Sequence, residues 1–176
     1  MRKLLYYFVR ILELIGKKIC SGISTYSLMY RLDGFNKQLR LDYPVAILYP
    51  RNIKLGTNCS INRGVYIHAE KGVELGNNVT LSSHSKIITL QYDLKDWISN
   101  CEKNKGKVKT HFGERIVIGD DAWICAGATI LPGVNISGRG VIVAANAVLK
   151  DDITEDYVLV AGCPAKVVKR YRKEED

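Results

Sequence analysis

Between Ile116 and Leu149 an aliphatic residue returns at a fixed interval: Ile118, Ile124, Ile130, Ile136, Ile142 and Val148. The step is six. A helix face returns every three or four residues and a strand face every two, so neither element alone has this period. The same step joins Leu75, Leu81 and Ile87, then Leu55, Ile61 and Ile67, with a first pair at Leu41 and Ile47. Steps of eight separate Ile47 from Leu55 and Ile67 from Leu75, where two extra residues fit a bulged corner. The spacing predicts triangular coils of three hexapeptides, with one aliphatic side chain pointing inward from each flat side. A medium or small residue two positions earlier also turns inward: Cys59, Val65, Val79, Ser85, Ala122, Ala128 and Val134. One coil cannot close a core, so coils must stack and share their buried ladders.

The period runs over residues 41–153 and breaks once, at 90–114, "LQYDLKDWISNCEKNKGKVKTHFGE". A long insertion in a compact repeat is usually functional. Residues 1–40 form an N-terminal helical segment. Within it, residues 2–19 predict a basic amphipathic helix with Leu4, Leu5, Phe8, Leu12 and Ile15 near one face, and Arg2, Lys3, Arg10, Lys17 and Lys18 supplying charge. Arg10 and Glu13 interrupt its apolar part and no small-x-small cleavage site follows, unlike a signal peptide. Such a helix packs on its own domain or a neighbouring subunit, or lies on a membrane surface. In the C-terminal segment 154–176, Pro164 predicts the start of a short helix reaching about Lys173.

The chain has 176 residues, enough for one domain with its own core. Its net charge of +8 favours anionic partners. Nucleic acid is disfavoured, because much of the charge sits in the termini and the insertion and the repeat carries no aromatic-basic platform. Five cysteines without a C-x-x-C pair give no zinc or disulfide framework and suit a reducing cytosol. No run of 18 apolar residues predicts a membrane span.

The segment "IGDDAWICAGATILPGVNISGRGVIVAANAVLKDD", followed by "VAGCPAKVV", resembles the hexapeptide-repeat acyltransferases. The likeness is greatest to the galactoside/maltose acetyltransferase branch and its polysaccharide O-acetyltransferase relatives. It implies an all-β fold, a left-handed parallel β-helix with an N-terminal amphipathic helix and a short C-terminal helix. It also implies a homotrimer with active sites in the grooves between subunits, acetyl-CoA as donor, a sugar hydroxyl or less often an amine as acceptor, and no metal. Carried over by motif, the coenzyme arm runs beside Trp123 along the backbone N–H groups of Ala126 and Ala144. Lys166, with Lys150 nearby, meets the terminal phosphates, and Asn62 helps bind acceptor. Asn146 and Leu149 depart from the family's usual Gly and Thr.

Acetyl transfer from a thioester needs a base for the acceptor hydroxyl, donors for the oxyanion and a groove for the coenzyme. The resemblance places the family's histidine five residues after Ile87, where this chain has Tyr92. A tyrosine is a poor base near neutral pH. His111, where the insertion returns to the repeat, and His84, three residues after Leu81, are the candidate replacements; His68 lies one coil below. Tyr92 and Asp93 face the acceptor, and Asp93 or Asp96 could orient an imidazole.

The expected function is acetyl-CoA-dependent O-acetylation of a sugar hydroxyl in cell-surface polysaccharide biosynthesis, in the cytoplasm and peripherally at the inner membrane face. Acetylation of a small amino sugar, nucleotide sugar or antibiotic, and a non-catalytic trimeric scaffold, are the competing readings. A γ-class carbonic anhydrase would place two zinc-binding histidines five apart, whereas the gaps here are 16 and 27.

Overall fold

The computed structural model describes residues 15–16, 22–32, 34, 37–102 and 110–171. The basic helix expected over residues 2–19 lies outside them, apart from Ile15 and Gly16, which are helical. From residue 40 the chain winds as a triangular solenoid with three parallel sheets as faces. The first face stacks Arg40–Leu41, Ser60–Ile61, Thr80–Leu81, Trp123–Ile124, Ile142–Val143 and Val158–Gly162. The second stacks Ala46–Leu48, Tyr66–His68, Lys86–Ile88, Thr129–Ile130 and Val148–Leu149. The third stacks Ile53–Leu55, Val73–Leu75, Ile116–Ile118 and Asn135–Ile136.

The six-step ladder is the core. Ile61, Ile67, Leu81, Ile87, Ile118, Ile124, Ile130 and Ile136 are buried. So are the inward partners Cys59, Val65, Val79, Ser85, Ala122, Ala128 and Val134. Each buried isoleucine contributes roughly 1.5–3 kcal/mol. Leu41, Ile47 and Leu55, in the first coil, are only partly buried because stacking is incomplete at the end of a solenoid. Glycine begins the third corner where coils press closest: the carbonyl of Gly76 occupies the space that a Cβ on Gly56 would fill.

The ladder slips once. Ile142 and Val148, expected inside, are half-buried, and Val143 and Leu149 take the core positions. Ile124 pairs with Val143 and Ile130 with Leu149, so these rungs are nineteen residues apart. The extra residue sits at the corner Ser137–Gly140, where Gly138 is buried and Gly140 takes φ 64°. It moves every later rung by one position and exchanges inside for outside.

The C-terminal helix expected from Pro164 does not form over the described residues 164–171. Val158–Gly162 and Ala165–Arg170 form an antiparallel hairpin instead. Val158–Gly162 adds a parallel rung to the first face, burying Val158 and Val160. Its free edge exposes backbone groups that need partners, and Ala165–Arg170 supplies them. At the other end, a helix over residues 22–31 (α1) closes the stack with Met29 and the following Leu32 and Leu39 against the core. No helix among the described residues is long and apolar enough to cross a membrane.

Candidate active site

The solenoid has three edges. The first corner, between first and second faces, is a column of tight turns at Asn62–Gly64, Ser82–His84, Cys125–Gly127 and Ala144–Asn146. Their last residues, Gly64, His84, Gly127 and Asn146, take φ of 77°, 62°, 71° and 58°. Within each turn the first residue donates to the coil above, as in Ser82 N–H to Ile124 O at 2.8 Å. The middle residues, Arg63, Ser83, Ala126 and Ala145, donate no backbone hydrogen bond within the described chain. Ala126 and Ala145 are exposed. Along this edge four stacked amides thus have no backbone acceptor among the described residues.

Ala126, which the resemblance puts on the coenzyme arm, is the middle residue of its turn, with no backbone acceptor for its N–H within the described chain. Ala144 does not match it: its N–H donates to Val160 O at 2.8 Å. The residue one coil above Ala126 is Ala145, because the extra residue at Ser137–Gly140 shifts the register. Counting sixes through that corner gives Ala144 instead of Ala145. Trp123 lies beside the column on the first face, 48% exposed, with Nε1 donating to Ser82 Oγ at 2.8 Å. Cys125 neighbours it, and burial raises its thiol pKa, so it holds its proton. Asn62 opens the corner turn one coil below Ser82, its N–H donating to Leu81 O at 2.9 Å. His84 is exposed at the same edge, and its ring lies over Gly64, where a Cβ would stand 2.5 Å from Cε1.

The second corner, between second and third faces, carries the insertion. Leu90–Tyr92 leaves and His111–Gly113 returns as an antiparallel pair, with His111 opposite Tyr92. Their rings stack at 4.8 Å and 26°. The imidazole thus lies against Tyr92, the side chain that the resemblance aligns with the family's histidine. Beyond Tyr92, Leu94–Glu102 forms a helix (α2). Asp93 caps it, accepting hydrogen bonds from the N–H groups of Lys95 at 2.8 Å and Asp96 at 3.2 Å. That role engages one Asp93 oxygen and sets the direction of α2. Trp97, on its first turn, meets Tyr92 at 5.4 Å and 49°.

Lys150 and Lys166 come together at the C-terminal end of the stack, both on Asp151, at 2.8 and 2.7 Å. Hydrogen bonds from Lys150 and then Lys166 hold the Asp151 carboxyl down to about 2. His68 lies one coil below the insertion, edge-on to Tyr49 at 5.5 Å. Among the described residues no cluster of histidine, cysteine and carboxylate side chains is placed to hold a metal ion.

Donor column and His111 stand on different edges of the prism, separated by the second face. Within a single chain they do not converge.

No protein-family model matches the chain. WbbJ of Escherichia coli strain K12, provisionally named a lipopolysaccharide biosynthesis O-acetyl transferase, is 30% identical over 163 residues, covering 90% of this chain and 72% of that protein. A hexapeptide-repeat acetyltransferase from Vibrio cholerae, solved with acetyl coenzyme A, has a TM-score of 0.70 at 24% identity, over 86% of this chain and 79% of its own. A maltose O-acetyltransferase from Clostridium difficile 630 has a TM-score of 0.65 at 26% identity, over 78% and 68%.

Proposed function

The chain belongs to the hexapeptide-repeat acetyltransferases, left-handed β-helix enzymes that use acetyl-CoA, and we propose that it acetylates a sugar hydroxyl in polysaccharide biosynthesis with His111 as general base. The observation carrying the base assignment is the Tyr92–His111 stack. It supports the assignment because His111, on a strand of the insertion, lies against Tyr92, which the resemblance aligns with the family's histidine. His84 stays the competing candidate.

In the proposed reaction His111 accepts the proton of an acceptor hydroxyl as its oxygen attacks the thioester carbonyl. The C–O bond forms and the carbonyl π pair moves to oxygen. The outward amides of Ala126 and Ala145 are suited to line the coenzyme arm and to offer N–H groups to that oxyanion. Collapse expels the coenzyme thiolate, which takes the proton held on the imidazole. Lys150 and Lys166 would meet the coenzyme phosphates, each sharing its charge with Asp151.

The separation of the two corners supports a homotrimer. A first corner set against the second corner of the next chain brings donor column and base together, and three such contacts close a ring. The second face would then turn to the threefold axis. Its outward column, Ala46, Tyr66, Lys86, Thr129 and Val148, carries one charge, whereas Lys54, Glu74 and Arg115 form an ion-pair network on the third. The test is free-thiol release from acetyl-CoA with a panel of sugars, comparing wild type, His111→Ala, His84→Ala and Tyr92→Phe. His111→Ala should lose about 10²–10⁴-fold in kcat with coenzyme binding intact. Full activity in His111→Ala would remove it as base.

A further inference from the structure

The helix α2 buries none of its residues. Leu94, Trp97 and Ile98 are 69%, 42% and 58% exposed, so an apolar stripe at i, i+3 and i+4 faces outward rather than into a core. The Asp93 cap and the Trp97–Tyr92 ring contact tie this helix to the hairpin. An amphipathic helix with no core beneath it gains little from burial and is short for independent stability. Its consequence is geometric. It holds an indole against Tyr92, whose ring is in turn stacked on His111. Trp97 thus stands one ring beyond the imidazole, on a stem of two rotatable bonds that costs little entropy to fix.

We propose that Trp97 is the acceptor-discriminating residue, offering its indole as a stacking surface for the C–H face of a pyranose ring whose neighbouring hydroxyl reaches His111. This rests on the acetyltransferase reading above and names the acceptor class for the same site. The reason is chemical complementarity. The face of an aromatic ring is electronegative, and the axial C–H bonds of a pyranose present a weakly positive, apolar patch. The hydroxyls of the same sugar lie round its rim, so a ring flat on the indole points them sideways, toward the imidazole. An acyclic polyol has the same hydroxyls and no such face. Trp97 would therefore select ring form over open chain, and would act on acceptor binding rather than on the thioester.

Thiol release from acetyl-CoA is measured with methyl glucopyranoside, galactopyranoside, mannopyranoside and N-acetylglucosaminide, and with the open-chain polyol glucitol. Trp97→Ala should raise KM for a productive pyranoside about tenfold, the worth of one aromatic contact. KM for acetyl-CoA should stay as in wild type, Trp97→Phe should recover most of the loss, and any glucitol reaction should be unaffected. An unchanged pyranoside KM overturns the proposal. Saturation-transfer NMR between the protein and the same glycosides, without acetyl-CoA, keeps the outcomes separable. Transfer to pyranoside ring protons in wild type, lost in Trp97→Ala, supports the stacking surface even if no glycoside is acetylated, an outcome that would count against the acetyltransferase reading alone. No transfer to any glycoside in wild type overturns it. Loss of oligomer mass, or of sedimentation with phosphatidylglycerol-containing vesicles, in Trp97→Ala with pyranoside binding unchanged would assign the indole to a subunit or membrane contact and overturn it equally.

Discussion

Individual side chains set the chemistry that can be tested first. Asp151 ties up the two cations expected to meet the coenzyme, so its removal and theirs should act in opposite directions. Lys166→Ala is expected to raise KM for acetyl-CoA, whereas Asp151→Asn frees both ammonium groups and should lower it, in steady-state kinetics at low salt. The same carboxylate gives a pH signature. Its folded-state pKa is depressed from 3.8 to about 2 by Lys150 and Lys166. Its contribution to stability is therefore present above 3.8 and lost as pH falls through about 2. The difference in thermal midpoint between wild type and Asp151→Asn should shrink over that window. A difference that persists unchanged at the acid end would mean that the lysines do not set the titration.

The faces and the insertion answer to different forces. Within the repeat, each coil relies on its neighbours for burial. Ile124→Ala, at the centre of the first face, should cost about 2–5 kcal/mol in urea unfolding, because the close-packed ladder cannot collapse around the cavity. The insertion contributes little to that ladder. Replacing residues 93–110 by a two-residue turn should leave the thermal midpoint within a few degrees of wild type while abolishing transfer to sugars. A large fall in midpoint would show that the hairpin supports the stack. Its two strands are anchored where Leu90 and Gly113 pair, so the cut leaves the solenoid's own rungs intact.

For the molecule as a whole, the separation of the proposed donor column and the proposed base on two edges makes a sharp prediction. His111→Ala and an Ala126→Trp variant, whose indole blocks the column, should each be nearly inactive alone. Unfolded and refolded together, they should regain part of the wild-type thiol release, because mixed trimers assemble some grooves from one intact first corner and one intact second corner. Absence of any recovery, with light scattering confirming mixed trimers, would place both halves of the site in one chain.

Much of this was determined by the order of residues alone. An aliphatic every sixth position allows only a stacked coil, since nothing else buries that period, and the break at residues 90–114 already singled out the insertion. The ladder from Ile61 to Ile136 and its small inward partners needed no coordinates. Three matters were settled only by tertiary contact. The slip to Val143 and Leu149 depends on how Gly138 tucks beneath the next coil, which no local window contains. The C-terminal strands form where Val158–Gly162 docks beside Ile142–Val143, a rung seventeen residues away, and the hairpin that completes its free edge outweighed proline as a helix starter. The meeting of His111 with Tyr92 required the eighteen residues between them to loop back, and Trp97 reached the same cluster through a helix that Asp93 caps. Periodicity is local and repeats, so it can be read along the chain; closure and edge pairing join distant residues, so they are decided only when the chain folds.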